Sequence, residues 1–393
     1  DFPRSFPVPW KIVLIVPDDD FTGGAMEEMQ RILLFCAVIL AFALGLAVLI
    51  ARGISRPITL LSEETRRIKD FHLDDKSTIA SHIKEIQLMS GAISAMKTGL
   101  QAFQRYVPAE LVRQLIRTGK EARLGGQKEV LTVLFSDIRG FTTIAERVSP
   151  EELTIQLSEY FDELTKIMSS NRGTVDKYIG DGILAFWGAP VPDGDHAVNA
   201  CGAGLLCRDK ISELNRRWES EGKSPFITRI GISTGETVVG NVGSSERINY
   251  TVMGDNVNIA SRLEGANKLY GTQIIVSRAT REAASDRFLF RLLGTVAVRG
   301  RSGETTIYEL VGKKTDCDAG ASAQLCEEFT LGVEAYLAGQ WDRACGIFSG
   351  LASKNPLDAP TCFYLARCRQ YKDNPPGADW RGVEKQGSDL SSG

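Results

Sequence analysis

The sequence predicts an α/β layer domain, a sheet flanked by helices, carried behind one membrane-spanning helix and a dimer-forming helical segment. Three observations predict it. Residues 32–51 are about twenty apolar residues without a charge, the length a helix needs to cross a hydrocarbon core about 30 Å thick. From Ile86 to Val107 hydrophobic residues recur three and four apart in alternation, the seam of a parallel coiled coil. From about residue 126 to about residue 312, strand-like and helix-like segments alternate, as a layered sheet with helices on its faces requires.

Composition narrows the function classes. With 43% hydrophobic and 24% charged residues in a chain of 393, this is ordinary globular material with room for two or three domains. A net charge of −3 gives no basic field, so nucleic acid is not an expected partner, and any anionic ligand must be met by local groups. Eight cysteines without a CxxC pair and three histidines without zinc spacing predict reduced thiols in a cytoplasmic compartment. The chain opens on Asp1 with no cleavable apolar leader, which predicts a piece of a longer protein.

Taken in order, PWKIVLIVP is a strand-like run between prolines, and residues 1–30 are expected to end an extracytoplasmic sensor segment similar to the closing strand of the Cache type. Residues 31–51 are the expected transmembrane helix. Asp18, Asp19, Asp20, Glu27 and Glu28 precede it, whereas Arg52, Arg56, Arg66, Arg67 and Lys69 follow. That asymmetry predicts a single-pass protein of the cell (inner) membrane with everything after the span in the cytoplasm. Residues 52–104, with Pro57 opening one helix and Glu85 near the start of a second that carries Ile86, Met89, Ile93, Met96, Leu100, Phe103 and Val107, resemble a HAMP domain. A linker is expected over 105–125, with Gly125 and Gly126 marking its end. VLTVLF is then a buried strand that ends in Ser136 and Asp137, and SPEELTIQLSEYFDELTKIMSS is an amphipathic helix with Ser149 as N-cap and Pro150 at N1. Residues 321–375 resemble one tetratricopeptide-type helical hairpin, which must pack on a neighbour because one repeat cannot bury its own apolar face. Residues 376–393, rich in Gly, Ser and charge, are expected to be disordered.

Three segments carry chemistry. In FSDIRGFT, Asp137 ends a strand, Gly140 permits a tight turn and Thr142 or Thr143 can start a helix, a place suited to a hard cation and phosphate. In VDKYIGDGILAFWG, two strand-like runs flank Asp181. A turn former explains that residue alone, but two carboxylates at adjacent strand ends are what a two-metal phosphoryl-transfer site needs. In YTVMGDNVNIASRLEGANK, Asn258 and Arg262 sit four apart on one helix face, where a surface pair between Arg262 and Glu264 is the bland alternative.

In this order and spacing, FSDIRGFT, DKYIGDG and TVMGDNVNIASR resemble the class III nucleotidyl cyclases over nearly all of residues 126–312. The resemblance implies a mostly antiparallel central sheet with flanking helices. It implies that Asp137, Asp181 and the backbone carbonyl of Ile138 bind two Mg or Mn ions, and that Asn258 and Arg262 stabilise the transition state. Lys177 and Thr251 fall at the two base-reading positions and match an adenylate cyclase subgroup with Lys and Thr there, where guanylate cyclases favour Glu and Cys. Arg299 matches the cation that reaches the terminal phosphates, with Arg301 beside it. The implied protein is a homodimeric adenylate cyclase that takes ATP as substrate, with the helical tail free to take a protein partner. A guanylate cyclase and a nucleotide-binding receptor without turnover are the alternatives. Arg229 is a weaker candidate, because arginines at strand edges are usually solvated. His196 is expected to cap or pack a helix start, with no catalytic role.

Overall fold

A computed structural model describes residues 13–15, 18–70, 72–73, 79–81, 83–104, 124–244, 247–297, 304–316, 319–377, 380 and 383–384. The chain divides into two compact units, residues 1–109 and 110–393. Val107, Arg299, Arg301 and most of the expected linker lie outside the described residues, as does most of PWKIVLIVP.

In the first unit, helix α1 runs from Asp18 to Lys69 and α2 from Lys84 to Gln104. The stretch Glu28–Lys69 is long and apolar enough to cross a membrane, and its most apolar window is unburied by protein. Pro57 was expected to open a helix and instead lies inside α1, which continues through the predicted boundary at residue 52. A proline removes one helical hydrogen bond and crowds the carbonyl four residues back. That residue is Gly53, and a Cβ there would meet no neighbour within 4 Å beyond the helix's own backbone. Beyond it, Leu61, Glu64 and Ile68 of α1 are buried together with Leu73, Ile86 and Lys97. Lys97 Nζ donates to Glu64 Oε1 at 2.5 Å. Of the predicted seam, Ile86 is buried and Ile93 and Leu100 are half-buried, while Met89 and Met96 remain exposed.

The second unit is built on a mixed sheet. Its elements in order are β1 (Gly125–Ile138), α3 (Phe141–Ala145), α4 (Pro150–Ser170), β2 (Thr174–Ile179), β3 (Gly182–Trp187), α5 (His196–Ser220), β4 (Thr228–Gly243) and β5 (Ile248–Met253). Then follow α6 (Asp255–Tyr270), β6 (Ile274–Ser277), α7 (Arg278–Ala284), β7 (Phe288–Ala297), β8 (Glu304–Lys313), α8 (Ala319–Leu337), α9 (Trp341–Lys354), α10 (Ala359–Asp373) and β9 (Val383–Glu384). The strand order is β2-β3-β1-β4-β6-β8-β7-β9, with β5 paired to β4. All pairings among the described residues are antiparallel except β4 with β6 and β7 with β9.

The apolar alternation of the central strands builds a core on each face. Ile183, Ala185 and Trp187 of β3 pack with Leu134, Ile230 and Ile232 under Tyr160, Leu164 and Met168 of α4 and the buried face of α5. Leu184 and Phe186 point the other way and pack with Leu131, Val133, Val239 and Ala260 of α6. Helix α4 starts as expected, with Pro150 at its first turn and the Ser149 side chain accepting from Glu152 N.

Among the described residues of the tail, a third helix, α10, follows the α8–α9 pair that spans the expected hairpin, and the three close over the back of α6. Leu263, Ala266 and Tyr270 of α6 share one core with Leu293 and Val296 of β7 and Phe329, Tyr336, Phe348 and Tyr364 of α8, α9 and α10. Arg291 of β7 is buried, donating to both Asp358 carboxylate oxygens and to Glu309. Part of the segment expected to be disordered is ordered: Val383 and Glu384 extend the β7 edge, and Trp380 lies edge-on to Tyr336, Trp341 and Tyr371. Composition does not reveal this because one tryptophan anchors a run otherwise made of small and charged residues.

Candidate active site

The sheet brings the two predicted acids to one corner. Pairing of β3 with β1 sets Ile183 opposite Ser136, so the Gly180–Asp181 turn of the β2–β3 hairpin falls beside the end of β1. Gly180 sits at φ 63, the left-handed region that a tight two-residue turn requires. At Gly182 a Cβ would come 2.4 Å from Ser136 O, so only glycine lets the hairpin approach β1 this closely. The Asp181 carboxylate then accepts from Ile138 N at 3.0 Å. Its pKa is raised, first by burial and then by the negative charge of Asp137. Two carboxylates that repel one another across a half-buried corner are a place a divalent cation relieves.

Among the described residues no group of three or more His, Cys, Asp or Glu side chains forms a cage for a metal. Two acids and a backbone carbonyl are a sparse oxygen set. Such a set fits Mg or Mn ions that complete their shells with water and substrate phosphates, and does not fit a closed structural site.

Arg229 is placed differently from its expectation. It lies on the central strand β4, opposite Asp137 in register, and its side chain is 15% exposed. Its Nη2 donates to Asp137 Oδ2 at 2.9 Å and its Nε lies 2.7 Å from Glu264 Oε1. Glu264 was the surface acid suggested for Arg262; it is buried and pairs inward with Arg229. Burial pushes the Glu264 carboxyl up to about 7, against the pull of Arg229. A carboxyl whose folded value lies above its unfolded one stabilises the fold fully below the unfolded value and loses that contribution as pH rises through the folded value. The melting temperature of the wild type should therefore fall relative to that of Glu264→Gln as pH is raised from about 4.5 to about 7, and parallel calorimetric curves would refute the assignment.

Helix α6 carries Asn258, exposed, and Arg262, half-buried. Its opposite face is riveted to β4. Asn256 Nδ2 donates to Thr237 Oγ1 at 3.0 Å and Asn267 Nδ2 donates to Ile230 O at 3.0 Å, while Asn256 Oδ1 accepts from Ser233 Oγ at 2.6 Å. Sequence reasoning passes over these two asparagines, although both lie in the third motif. The signal is there: both fall on the apolar face of an amphipathic helix, where an amide has to find backbone partners.

Lys177 of β2 and Thr251 of β5 come together although the two strands do not pair, with Lys177 Nζ donating to Thr251 Oγ1 at 3.1 Å. Behind them stands Asp176, 1% exposed, whose Oδ1 lies 3.4 Å from Lys177 Nζ. Its Oδ2 accepts from Thr251 Oγ1 at 2.5 Å and from Val252 N at 3.4 Å. Strict alternation would have sent Asp176 and Lys177 to opposite faces, but a bulge between Val175 and Lys177 turns both to the same side. His196 opens α5, half-buried, with Nδ1 2.7 Å from Thr132 Oγ1, and burial holds its pKa down. α3 is five residues long and begins at Phe141, one residue before the earlier of the two predicted starts.

Comparison with known proteins matches residues 125–312 to the adenylate and guanylate cyclase catalytic domain. "Adenylate cyclase 1" of Rhizobium meliloti is 38% identical over 77% of this chain and 45% of its own length. The adenylyl cyclase CyaB of P. aeruginosa is 38% identical over 49% of this chain and 99% of that one, with a TM-score of 0.46. A bacterial light-regulated adenylyl cyclase is 26% identical, covers 61% of this chain and 69% of that one, and has a TM-score of 0.51. The chain spans about half the length or less of the curated relatives named as adenylate cyclases.

Proposed function

The chain belongs to the adenylate and guanylate cyclase catalytic-domain family through residues 125–312, and from that membership we propose that it is a membrane-anchored adenylate cyclase making 3′,5′-cyclic AMP and pyrophosphate from ATP. The observation that carries the reading is the pairing of two half-sites on one fold. Asp137 and Asp181 meet beside Ile138 N, and Lys177, within β2 and four residues before Asp181, meets Thr251.

The reaction is attack of the ribose 3′ oxygen on the α-phosphorus with loss of pyrophosphate, in which positioning and charge neutralisation supply most of the catalysis. Asp137, Asp181 and the Ile138 carbonyl would hold two Mg or Mn ions, which when bound neutralise charge on the attacking oxygen and on the phosphates. Arg229 keeps Asp137 oriented by the bond to its Oδ2. Lys177 donates to adenine N1, and Thr251 accepts from the adenine amino group. Asn258 orients the ribose, and Arg262 offers its donor fork to the phosphate oxygens. Arg299 would reach the terminal phosphates.

Asp137 and Asp181 serve one site with Lys177, Thr251, Asn258 and Arg262 of a second copy, so the active species is a head-to-tail homodimer with two equivalent sites. The exposed Met89 and Met96 of α2 support a dimeric relay of the HAMP kind over residues 52–104. α1 supplies the single pass through the inner membrane, with the catalytic unit cytoplasmic.

The test is the full chain in detergent with Mn and either ATP or GTP. Cyclic AMP in large excess over cyclic GMP is expected, with Lys177→Glu lowering kcat/KM for ATP by roughly a hundredfold through loss of one donor and gain of a repelled charge. A dimer that makes neither product would favour the nucleotide-binding receptor instead.

A further inference from the structure

Lys177 reads one position of the purine edge: its ammonium only donates, to adenine N1, where guanine carries a proton. The neighbouring position, an amino group on adenine and a carbonyl oxygen on guanine, falls to Thr251, and its reading depends on which way the Thr251 hydroxyl faces, because a hydroxyl can donate or accept. Its proton is already committed. Asp176 Oδ2 takes it at 2.5 Å, and a carboxylate offers nothing back. The same oxygen is held by Val252 N at 3.4 Å, and Oδ1 faces the Lys177 ammonium at 3.4 Å. The group is 1% exposed, so water does not offer the hydroxyl another acceptor from that side. With its proton inward and one lone pair accepting from Lys177 Nζ at 3.1 Å, Thr251 presents its remaining lone pair, an acceptor, to a ligand.

We propose that Asp176 is a specificity-determining residue that acts through Thr251, polarising its hydroxyl so that the base seat accepts the amino group of adenine and rejects the carbonyl oxygen of guanine. Asp176 never touches the nucleotide. It is a positioning residue, and the inference rests on the cyclase reading above. The Val175–Lys177 bulge is what makes it possible, since the extra residue in β2 brings carboxylate and ammonium to one side of the strand.

Asp176→Asn keeps the shape and replaces the acceptor-only oxygen by an amide whose NH2 can donate to Thr251. The hydroxyl is then free to turn its proton toward the ligand, and guanine O6 becomes a partner. The kcat/KM ratio of ATP to GTP, measured on the full chain in detergent, should fall by about tenfold, the scale of one hydrogen-bond mismatch. A merely structural role would lower both substrates together and leave the ratio alone. Combining Asp176→Asn with Thr251→Asp should restore the ATP preference, because an aspartate at 251 is an acceptor whatever stands behind it. Should Asp176→Asn fail to fold, Asp176→Ser makes the same comparison. An unchanged ratio in a folded variant overturns the inference and leaves the cyclase reading standing. A wild type that yields no cyclic product overturns both.

Discussion

Asp181→Asn should reduce cyclic AMP formation by about three orders of magnitude, the scale expected when one of two metal-holding carboxylates is neutralised, while the protein becomes no less stable. The two halves of that expectation come from the same geometry. Asparagine can still accept from Ile138 N through its amide oxygen, so the 3.0 Å bond that seats the turn is kept. What disappears is a negative charge that burial disfavours first and the Asp137 charge disfavours next. A carboxylate with a raised folded value weakens the fold at neutral pH, so the melting temperature should hold or rise. Product quantified by chromatography and a calorimetric melt on the same preparation decide it. Activity above about a tenth of wild type would take Asp181 out of the chemistry.

Gly231→Ala should be the most damaging small substitution in the second unit. Its Cβ would stand 2.1 Å from Ala260 O and 2.3 Å from Glu264 N, and both are backbone atoms of α6 that no rotamer change can move. Either the helix lifts from β4 or the strand bends away, at a cost of about 3 kcal/mol or more. The effect goes beyond stability, because Asn258 and Arg262 ride on α6 and the Arg229–Glu264 pair spans the same gap. We expect loss of most activity even at temperatures where the protein is folded. Gly350→Ala, in the exposed middle of α9 with nothing within 4 Å, is the control and should gain a few tenths to about 1 kcal/mol from helix propensity. Equal melts for the two variants would mean that α6 does not seat on Gly231.

The parts of this fold that are legible in the chain are those written in short range. The β1 strand and its terminal Asp137, the Ser149-capped α4 and the β2–β3 turn with Asp181 each depend on a few adjacent residues and a period of two or 3.6. Asp176 and Glu264 are not legible in that way. Asp176 is turned by a bulge that no alternation rule announces. Glu264 has the spacing of an ordinary helix-surface acid until β4 supplies Arg229 from 35 positions upstream. The burial of Arg229 is equally non-local, because whether its strand is central or at an edge is a property of the whole sheet order. Pro57 differs from its expectation for a related reason: local sequence marks a helix start, and the continuity of a 52-residue helix overrides it.

The tail gives the catalytic sheet a border different from the one its motifs suggest. Leu263, Ala266 and Tyr270 face α8, α9 and α10, and β7 has Val383 and Glu384 along its far side. A chain severed just after β8 would uncover an oily wall and an unpaired ribbon at once, the two ingredients from which proteins build unwanted polymers. In this chain the three trailing helices therefore belong to the folded unit that the catalytic motifs occupy.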